Sequence, residues 1–486
     1  MKTVGILMFV FWLAFTGCGR YSPYMEYEEN DIAYIGETAD EQQELNEYEQ
    51  QYTQEPNESE PYMPYHIEQL TLDHILNDLD YMVYVLQNNF ALLEVAYTAR
   101  GVDYRVLASN AREYIYLMEE PCADMFLAIL RKTFWPLMGI GHFNIFTPTI
   151  FNSLMYSWYW GYDSVLAQMN IELINSPMAE IFYVPRMYDQ TAFNDALDIL
   201  IQDMFANEEF IFNHARGYWA RGWQGEVHTP DENFVTKVIE EGRIAYIFFQ
   251  SMMELFTNWH DIFDFYREIQ GFEHLIIDIR GNHGGNIAMF VEAIIRPNIT
   301  QTIEYPLAFH FFMDGPYVRR FGENLFYPTI SSGFLTNLEP YRPALEILDE
   351  FGLPDAYLPH FDRMSYGAPT RIVAQYIMPH PGHIAPIDGT IWLLTDGRLG
   401  SAAEHAAWIS KETGFATLVG DIGGGVMGGP RTLAFMPNTG IIFYFDIFYI
   451  TNESGRPLEA GTIPHYFNLP GMDALGTVLA LIAERN

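Results

Sequence analysis

One serine in this chain stands where a hydroxyl could be turned into a nucleophile. From Ile391 the sequence runs as an apolar strand to Leu394, passes a turn flanked by Gly397 and Gly400, and places Ser401 at the head of an Ala-rich stretch that reads as a helix. A serine at a strand-to-helix turn exposes its hydroxyl above a sheet, and helix N-terminal amides favour negative charge developing beside it. Those are the needs of acyl transfer. The same position is also where serine most often serves as a helix N-cap, and on this segment alone the cap is the commoner role.

An activated serine needs a proton acceptor, an acid to orient it and donors for an oxyanion. His142 lies in Gly139-Ile-Gly-His142, a glycine-flanked setting suited to a base that works near neutral pH, although one histidine among 14 carries little weight alone. Glu459 serves equally well as an orienting acid or as a turn carboxylate in solvent. His405, one helical turn beyond Ser401, is a fallback base and more simply a helix-surface residue. Lys411, further along the same helix, is poorly placed to reach back. The run Gly281-Asn-His-Gly-Gly285 can present backbone N–H groups in tight turns. It has neither the dinucleotide-binding spacing nor the Lys-Ser/Thr of a phosphate loop. His380 and His383 are spaced as metal ligands could be, but without a clear third ligand they read as loop residues. No metal or organic cofactor is implied.

These groups must be held by a sizeable fold. The chain has 486 residues, 49% of them hydrophobic, enough for two or three domains. Its formal charge of -38, from 63 acidic and 25 basic side chains, argues against nucleic-acid binding and against electrostatic attachment to anionic lipid. Residues 1–18 read as a targeting segment, with Lys2 ahead of an apolar run from Ile6 to Phe15 that is short for a membrane span. The run ends Phe15-Thr-Gly-Cys18, which resembles a bacterial lipoprotein signal in which Cys18 becomes acylated; an ordinary signal peptide is the alternative. The membrane is then touched only through a lipid anchor, outside the cytoplasm. Cys122 is the one other cysteine and is expected as a buried small hydrophobe. Residues 19–65, rich in Glu, Gln, Asn and Tyr without periodicity, are expected as an acidic disordered tether.

Order should begin near His66. Leu72, Ile75, Leu79, Met82, Leu86 and Phe90 follow a helical period. Further helices are expected over Asp103 to Met118 and Ala123 to Phe134, so that residues 66–150 form an N-terminal helical domain. Residues 151–240 are harder to read, with one helix expected around Asn194 to Met204. Trp158, Tyr159 and Trp160 there are more simply core than a substrate groove. Residues 241–486 alternate strands with helices. Strands are expected at Ile244 to Phe249, Leu275 to Ile279, Thr390 to Leu394, Ala416 to Val419 and Ile441 to Tyr449, with helices after Asn286 and Ser401. The expected class is α/β, with apolar strands covered on both faces.

The motifs together resemble one family. Gly400-Ser-Ala-Ala-Glu404 after an apolar strand is similar to the nucleophile motif of tail-specific (C-terminal processing) serine peptidases. His274-Leu-Ile-Ile-Asp278 with Gly281 to Gly285 resembles their strand and glycine loop. Leu418-Val-Gly-Asp421 resembles the strand and acidic turn after the nucleophile helix, and Leu458-Glu-Ala-Gly461 with Pro464 their closing element. His465 stands where that element usually has Asp. Members with a Ser-Lys dyad carry Lys in a glycine loop after the acidic turn, whereas Gly423 to Gly425 here holds none. The resemblance is therefore closer to the branch of the tricorn core and retinoid-binding-protein-like modules, which uses Ser, His and Glu.

That resemblance implies a crotonase/Clp-protease-like peptidase core behind an N-terminal helical domain. It implies Ser401 as nucleophile, His142 as base and Glu459 as orienting acid. It also implies backbone donors from Gly281 or a near neighbour paired with Ala402. The family often carries a PDZ-like module, and none is convincing in 151–240. The expected function is hydrolysis of peptide bonds in extracytoplasmic proteins, with a peptide or protein as partner. The alternative is a non-catalytic surface protein that uses the same fold to bind peptides or small hydrophobic ligands.

Overall fold

The computed structural model describes residues 70–151, 176–188, 230, 232–319, 335–337, 339–352, 358–372, 376–382, 384, 386–426 and 431–484. Cys18, the expected targeting segment and tether, His383, the aromatic cluster at 158–160 and the helix expected near Asn194 lie outside these residues.

The apolar period beginning at Leu72 forms α1 (Leu72–Asn89), which buries Ile75, Leu79, Met82 and Leu86 along one stripe. Thr71 caps it, accepting from His74 N–H while the His74 ring accepts from Thr71 N–H. Three helices follow: α2 (Leu93–Arg100), α3 (Tyr104–Tyr116) and α4 (Ala123–Thr133). Asp103 caps α3 by accepting from Arg105 N–H at 2.9 Å. Cys122 occupies the N-cap of α4 and is exposed rather than buried. The acidic pair Glu119-Glu120 and Pro121 before it make that turn a solvent-facing one.

Beyond these helices the described residues build four sheets, one of them only the short pair of Ile303–Glu304 with Tyr376–Ile377. The largest contains β2 (Phe234–Glu240), β3 (Ile244–Phe249), β4 (Phe272–Asp278), β8 (Ile387–Thr395), β9 (Thr417–Gly420) and β13 (Tyr466–Phe467), in the order β13-β9-β8-β4-β3-β2. Only the β2–β3 pair is antiparallel. The apolar runs read from the sequence are its central strands. Alternation divides their side chains between two cores. Tyr246, Ile276, Trp392 and Val419 pack under α8 (Ala474–Glu484), and Ile247, Ile277, Leu393 and Leu418 join the main core.

A second sheet, β12-β5-β7-β6, comprises β5 (Ala308–Phe312), β6 (Leu335–Asn337), β7 (Tyr366–Ile372) and β12 (Phe448–Asn452). Most of its strands come from the stretch between Pro297 and Ile387, which has many Pro, Phe and Tyr residues. The third sheet joins β1 (Asn144–Ile145), β11 (Ile442–Asp446) and β10 (Arg431–Phe435), all antiparallel. The single strand expected from Ile441 to Tyr449 is therefore two. The chain leaves one sheet at Asp446, passes buried Ile447 and enters another at Phe448.

The helical segment packs directly on the third sheet. Asp78 of α1 is fully buried, and its carboxylate accepts from Asn438 and Thr439 in the β10–β11 turn, at 2.7 to 2.9 Å. Residues 58–486 accordingly cluster as one compact unit. The nucleophile helix, α7 (Ala402–Glu412), is buried on nearly every side, with Trp408 packed edge-on to Tyr305 at 6.5 Å between ring centres. His310 on β5 is fully buried, and His405 on α7 is half-buried with its Nε2 shielded from solvent, so it does not lie on an open helix surface.

Burial pushes the pKa of both imidazoles down to about 3, with His142 adding to the effect on His405 and His405 to that on His310. Burial acts oppositely on Asp78, raising its pKa to about 6 against the pull of its hydrogen bonds. The signs follow by linkage. The two histidines bind fewer protons folded than unfolded, so their contribution is present above about pH 6.5 and is lost as pH falls toward 3. Asp78 binds more protons folded, so its contribution falls as pH rises from about 4 to 6. Two groups of larger shift outweigh one, and stability should drop on acidification below pH 6.5. Urea unfolding midpoints across pH 4.5 to 7 check this. His310→Phe should flatten the pH profile, and an unchanged slope would contradict the assignment.

Candidate active site

Ser401 directly follows the β8–α7 turn, with φ 54° and ψ -125°. A non-glycine residue there costs on the order of 1–3 kcal/mol, which the surroundings must hold in place. The constraint comes from the glycine loop after β4. A Cβ on Gly284 would lie 2.8 Å from both Ser401 Cβ and Ala402 N, and 2.7 Å from Gly400 O. Gly284 itself has φ 102° and donates its N–H to Asn282 Oδ1 at 2.8 Å. Ser401 N–H donates to Gly425 O at 3.2 Å, and its side chain does not cap α7. Its hydroxyl is therefore available for chemistry.

His142 also has a left-handed backbone, φ 51°, after Gly139 and Gly141 at 89° and 49°. Its Nδ1 lies 2.6 Å from Asp446 Oδ2, and Asp446 is fully buried. Register explains the pairing. In the β1–β11 ladder Asn144 faces Tyr444, and continuing that antiparallel register by two residues sets His142 across from Asp446. The acid on the imidazole is thus Asp446 and not Glu459. Glu459 is also buried, but its Oε1 accepts from Gly141 N–H at 3.0 Å, one residue before the histidine.

Two further carboxylates organise the loops around Ser401. Glu404 is fully buried on the first turn of α7, where it accepts from Gly425 N–H at 3.2 Å and from Thr462 N–H. Burial raises its pKa, and these bonds oppose the rise. Asp396, at the end of β8, accepts from Gly281 N–H at 3.1 Å and from Arg398 N–H at 3.0 Å. Gly281 is therefore already engaged and does not serve as an oxyanion donor. The part of that loop apposed to the nucleophile is its neighbour Gly284. Ala402, first residue of α7, has an N–H with no intrahelical acceptor, as helix geometry requires.

The remaining candidates fall away from the site or sit beside it. Lys411 Nζ donates to Ile463 O at 2.8 Å, and His465 Nδ1 accepts from Leu418 N–H at 2.9 Å at the sheet edge. His380 Nδ1 accepts from Gly382 N–H at 3.1 Å within a turn. Among the described residues no three His, Cys, Asp or Glu side chains group as metal ligands. His405 lies within electrostatic reach of His142, and its Nε2 has no hydrogen-bond partner.

The arrangement can expose a serine hydroxyl at a helix N-terminus, orient an imidazole through a buried carboxylate, and offer backbone N–H groups nearby. The strain at Ser401 gives a stability test separate from activity. Ser401→Gly should be more stable than Ser401→Ala by about 1 kcal/mol, because glycine accepts positive φ without penalty. Thermal melts of the two inactive variants check it, and a more stable alanine variant would contradict the backbone geometry.

Residues 243–310 and 342–467 match the model of Peptidase family S41. Among solved structures, a candidate peptidase from Parabacteroides merdae is 14% identical with a TM-score of 0.45, covering 84% of this chain and 96% of that one. Mature CPAF complexed with lactacystin is 14% identical with a TM-score of 0.42, covering 82% and 94%. The photosystem II D1 C-terminal processing protease is 12% identical with a TM-score of 0.29, covering 53% of each chain. No curated protein sequence matches the chain. The family match spans β3, β4, β8, the Ser401 turn, α7 and the loops that close on it, so the part of the chain that carries the candidate site is similar to Peptidase family S41.

Proposed function

We propose that the protein hydrolyses peptide bonds by a serine acyl-enzyme mechanism in which Ser401 is the nucleophile, His142 the base and Asp446 the orienting acid. The observation that carries this reading is the 2.6 Å contact between His142 Nδ1 and buried Asp446. With Nδ1 held by the carboxylate, Nε2 is the nitrogen left to take the Ser401 proton. Ser401 Oγ attacks the peptide carbonyl, and His142 accepts its proton and passes it to the departing amine. Water then attacks the acyl-enzyme with His142 again as base. The Ala402 N–H is the backbone donor that this reading assigns to the oxyanion.

Glu459 holds the Gly141 peptide and so the histidine loop, a role that glutamine can partly fill. Export and attachment through an acylated Cys18 remain part of the proposal, on the strength of the apolar run and Phe15-Thr-Gly-Cys18. Trimming of protein C-terminal tails outside the cytoplasm is the finer activity proposed.

A second reading, a non-catalytic binder on the same fold, draws on one observation. Among the described residues Ser401 Oγ makes no hydrogen bond to His142. Catalytic contacts of this kind are often loose without substrate.

Labelling of the full-length protein with a fluorophosphonate probe separates the readings. The wild type should label, Ser401→Ala should not, and an unlabelled, folded wild type would favour the binder. Asp446→Asn should slow labelling by about 100-fold or more, and Glu459→Gln by no more than about 10-fold. The reverse order would return the orienting role to Glu459. Metabolic labelling with palmitate should mark the wild type and not Cys18→Ala, and equal incorporation would remove the anchor.

A further inference from the structure

The run Gly423-Gly-Gly425 lies between the Asp421 turn and the site, and it has no side chains of its own to fix its path. Three successive glycines lose more backbone entropy on ordering than any other tripeptide, so outside partners must hold them. Those partners can be traced. Gly423 N–H donates to Thr462 O at 3.0 Å, and Gly425 N–H donates to Glu404 Oε2 at 3.2 Å. Gly425 O accepts from Ser401 N–H at 3.2 Å. The middle carbonyl, Gly424 O, accepts from Arg100 Nη2 at 3.2 Å, and the same nitrogen donates to Glu459 O at 2.8 Å.

Arg100 is the last residue of α2, where Gly101 ends the helix in a left-handed conformation with φ 69°. It is also the first Lys or Arg after Arg20 in a strongly acidic chain. Its guanidinium spans two carbonyls from segments that also meet through the Gly423–Thr462 hydrogen bond and the Glu404 carboxylate. One segment supports Ser401 through Gly425 O, and the other supports His142 through Glu459 Oε1 and Gly141 N–H. The Arg100 charge also acts on buried Glu404, lowering a pKa that burial raises.

We infer that Arg100 is a positioning residue for the proposed hydrolysis, clamping the Gly424 and Glu459 carbonyls so that the serine-bearing and histidine-bearing segments keep their mutual placement. This rests on the Ser401–His142 reading above. Both bonds come from one terminal nitrogen, a role that a lysine ammonium fills in part and alanine cannot.

The test uses full-length Arg100→Ala and Arg100→Lys beside wild type, with two readouts. Amide hydrogen exchange over residues 421–426 should quicken in Arg100→Ala, with Arg100→Lys between it and the wild type, and fluorophosphonate labelling of Ser401 should slow by about 10- to 100-fold in Arg100→Ala. Added guanidinium ion should restore part of the labelling rate in Arg100→Ala and leave the wild type unchanged, which a general loss of stability would not do. Unchanged exchange overturns the clamp. Quickened exchange in Arg100→Ala with an unchanged labelling rate overturns the positioning role. A wild type that does not label at all overturns the peptidase reading instead, and the exchange comparison still decides the clamp.

Discussion

A fully buried carboxylate needs a partner, and Asp446 has His142. Its Oδ2 meets the imidazole at 2.6 Å, while its Oδ1 has no hydrogen-bond partner. Removing a charge from water without a good partner costs several kcal/mol, so the fold forms with the histidine in place or at considerable expense. That single contact ties residue 142, at the end of the helical segment, to the last residue of β11. Everything else in the site is arranged around the same junction. β11 ends at Asp446, and the chain turns there into a different sheet.

The serine is held by a complementary constraint. Ser401 and His142 both have positive φ, a conformation that a fold retains only when the surroundings over-determine it. For Ser401 the determinants are Gly284 in van der Waals contact and Gly425 O at hydrogen-bonding distance. For His142 they are the β1–β11 register and the Glu459 carboxylate on Gly141. Buried Glu404 joins the two sets by accepting from both Gly425 and Thr462. Carboxylates thus fix loops that glycine makes thin enough to approach the nucleophile.

Much of this was legible in the sequence, and the limits are physical. Apolar runs such as Ile244 to Phe249 announce buried strands, and the strand-turn-helix around Ser401 is local, so both read directly. The helix around His405 carried a signal that was underused. Ala402, Ala403, Ala406, Ala407 and Trp408 leave almost no polar face, and such a helix is buried all round. Asp446 was missed because its meaning is non-local. An acid inside Phe443-Tyr-Phe-Asp446 must have a buried partner, but only the β1–β11 register says that the partner is His142. Gly281 is one of three glycines in its loop, and its N–H is held by Asp396 while that of Gly284 is held by Asn282, contacts that no sequence pattern announces. Glu459, expected on the imidazole, instead holds the backbone N–H of Gly141 one residue before it.

Whether Asp446 holds the His142 imidazole is read by proton NMR of the ring N–H of His142. A short Nδ1–H to carboxylate bond in a buried site gives a strongly downfield resonance. The account predicts such a resonance in the wild type that disappears in His142→Ala and Asp446→Asn and survives in Glu459→Gln. A resonance that survives in Asp446→Asn and disappears in Glu459→Gln would contradict it.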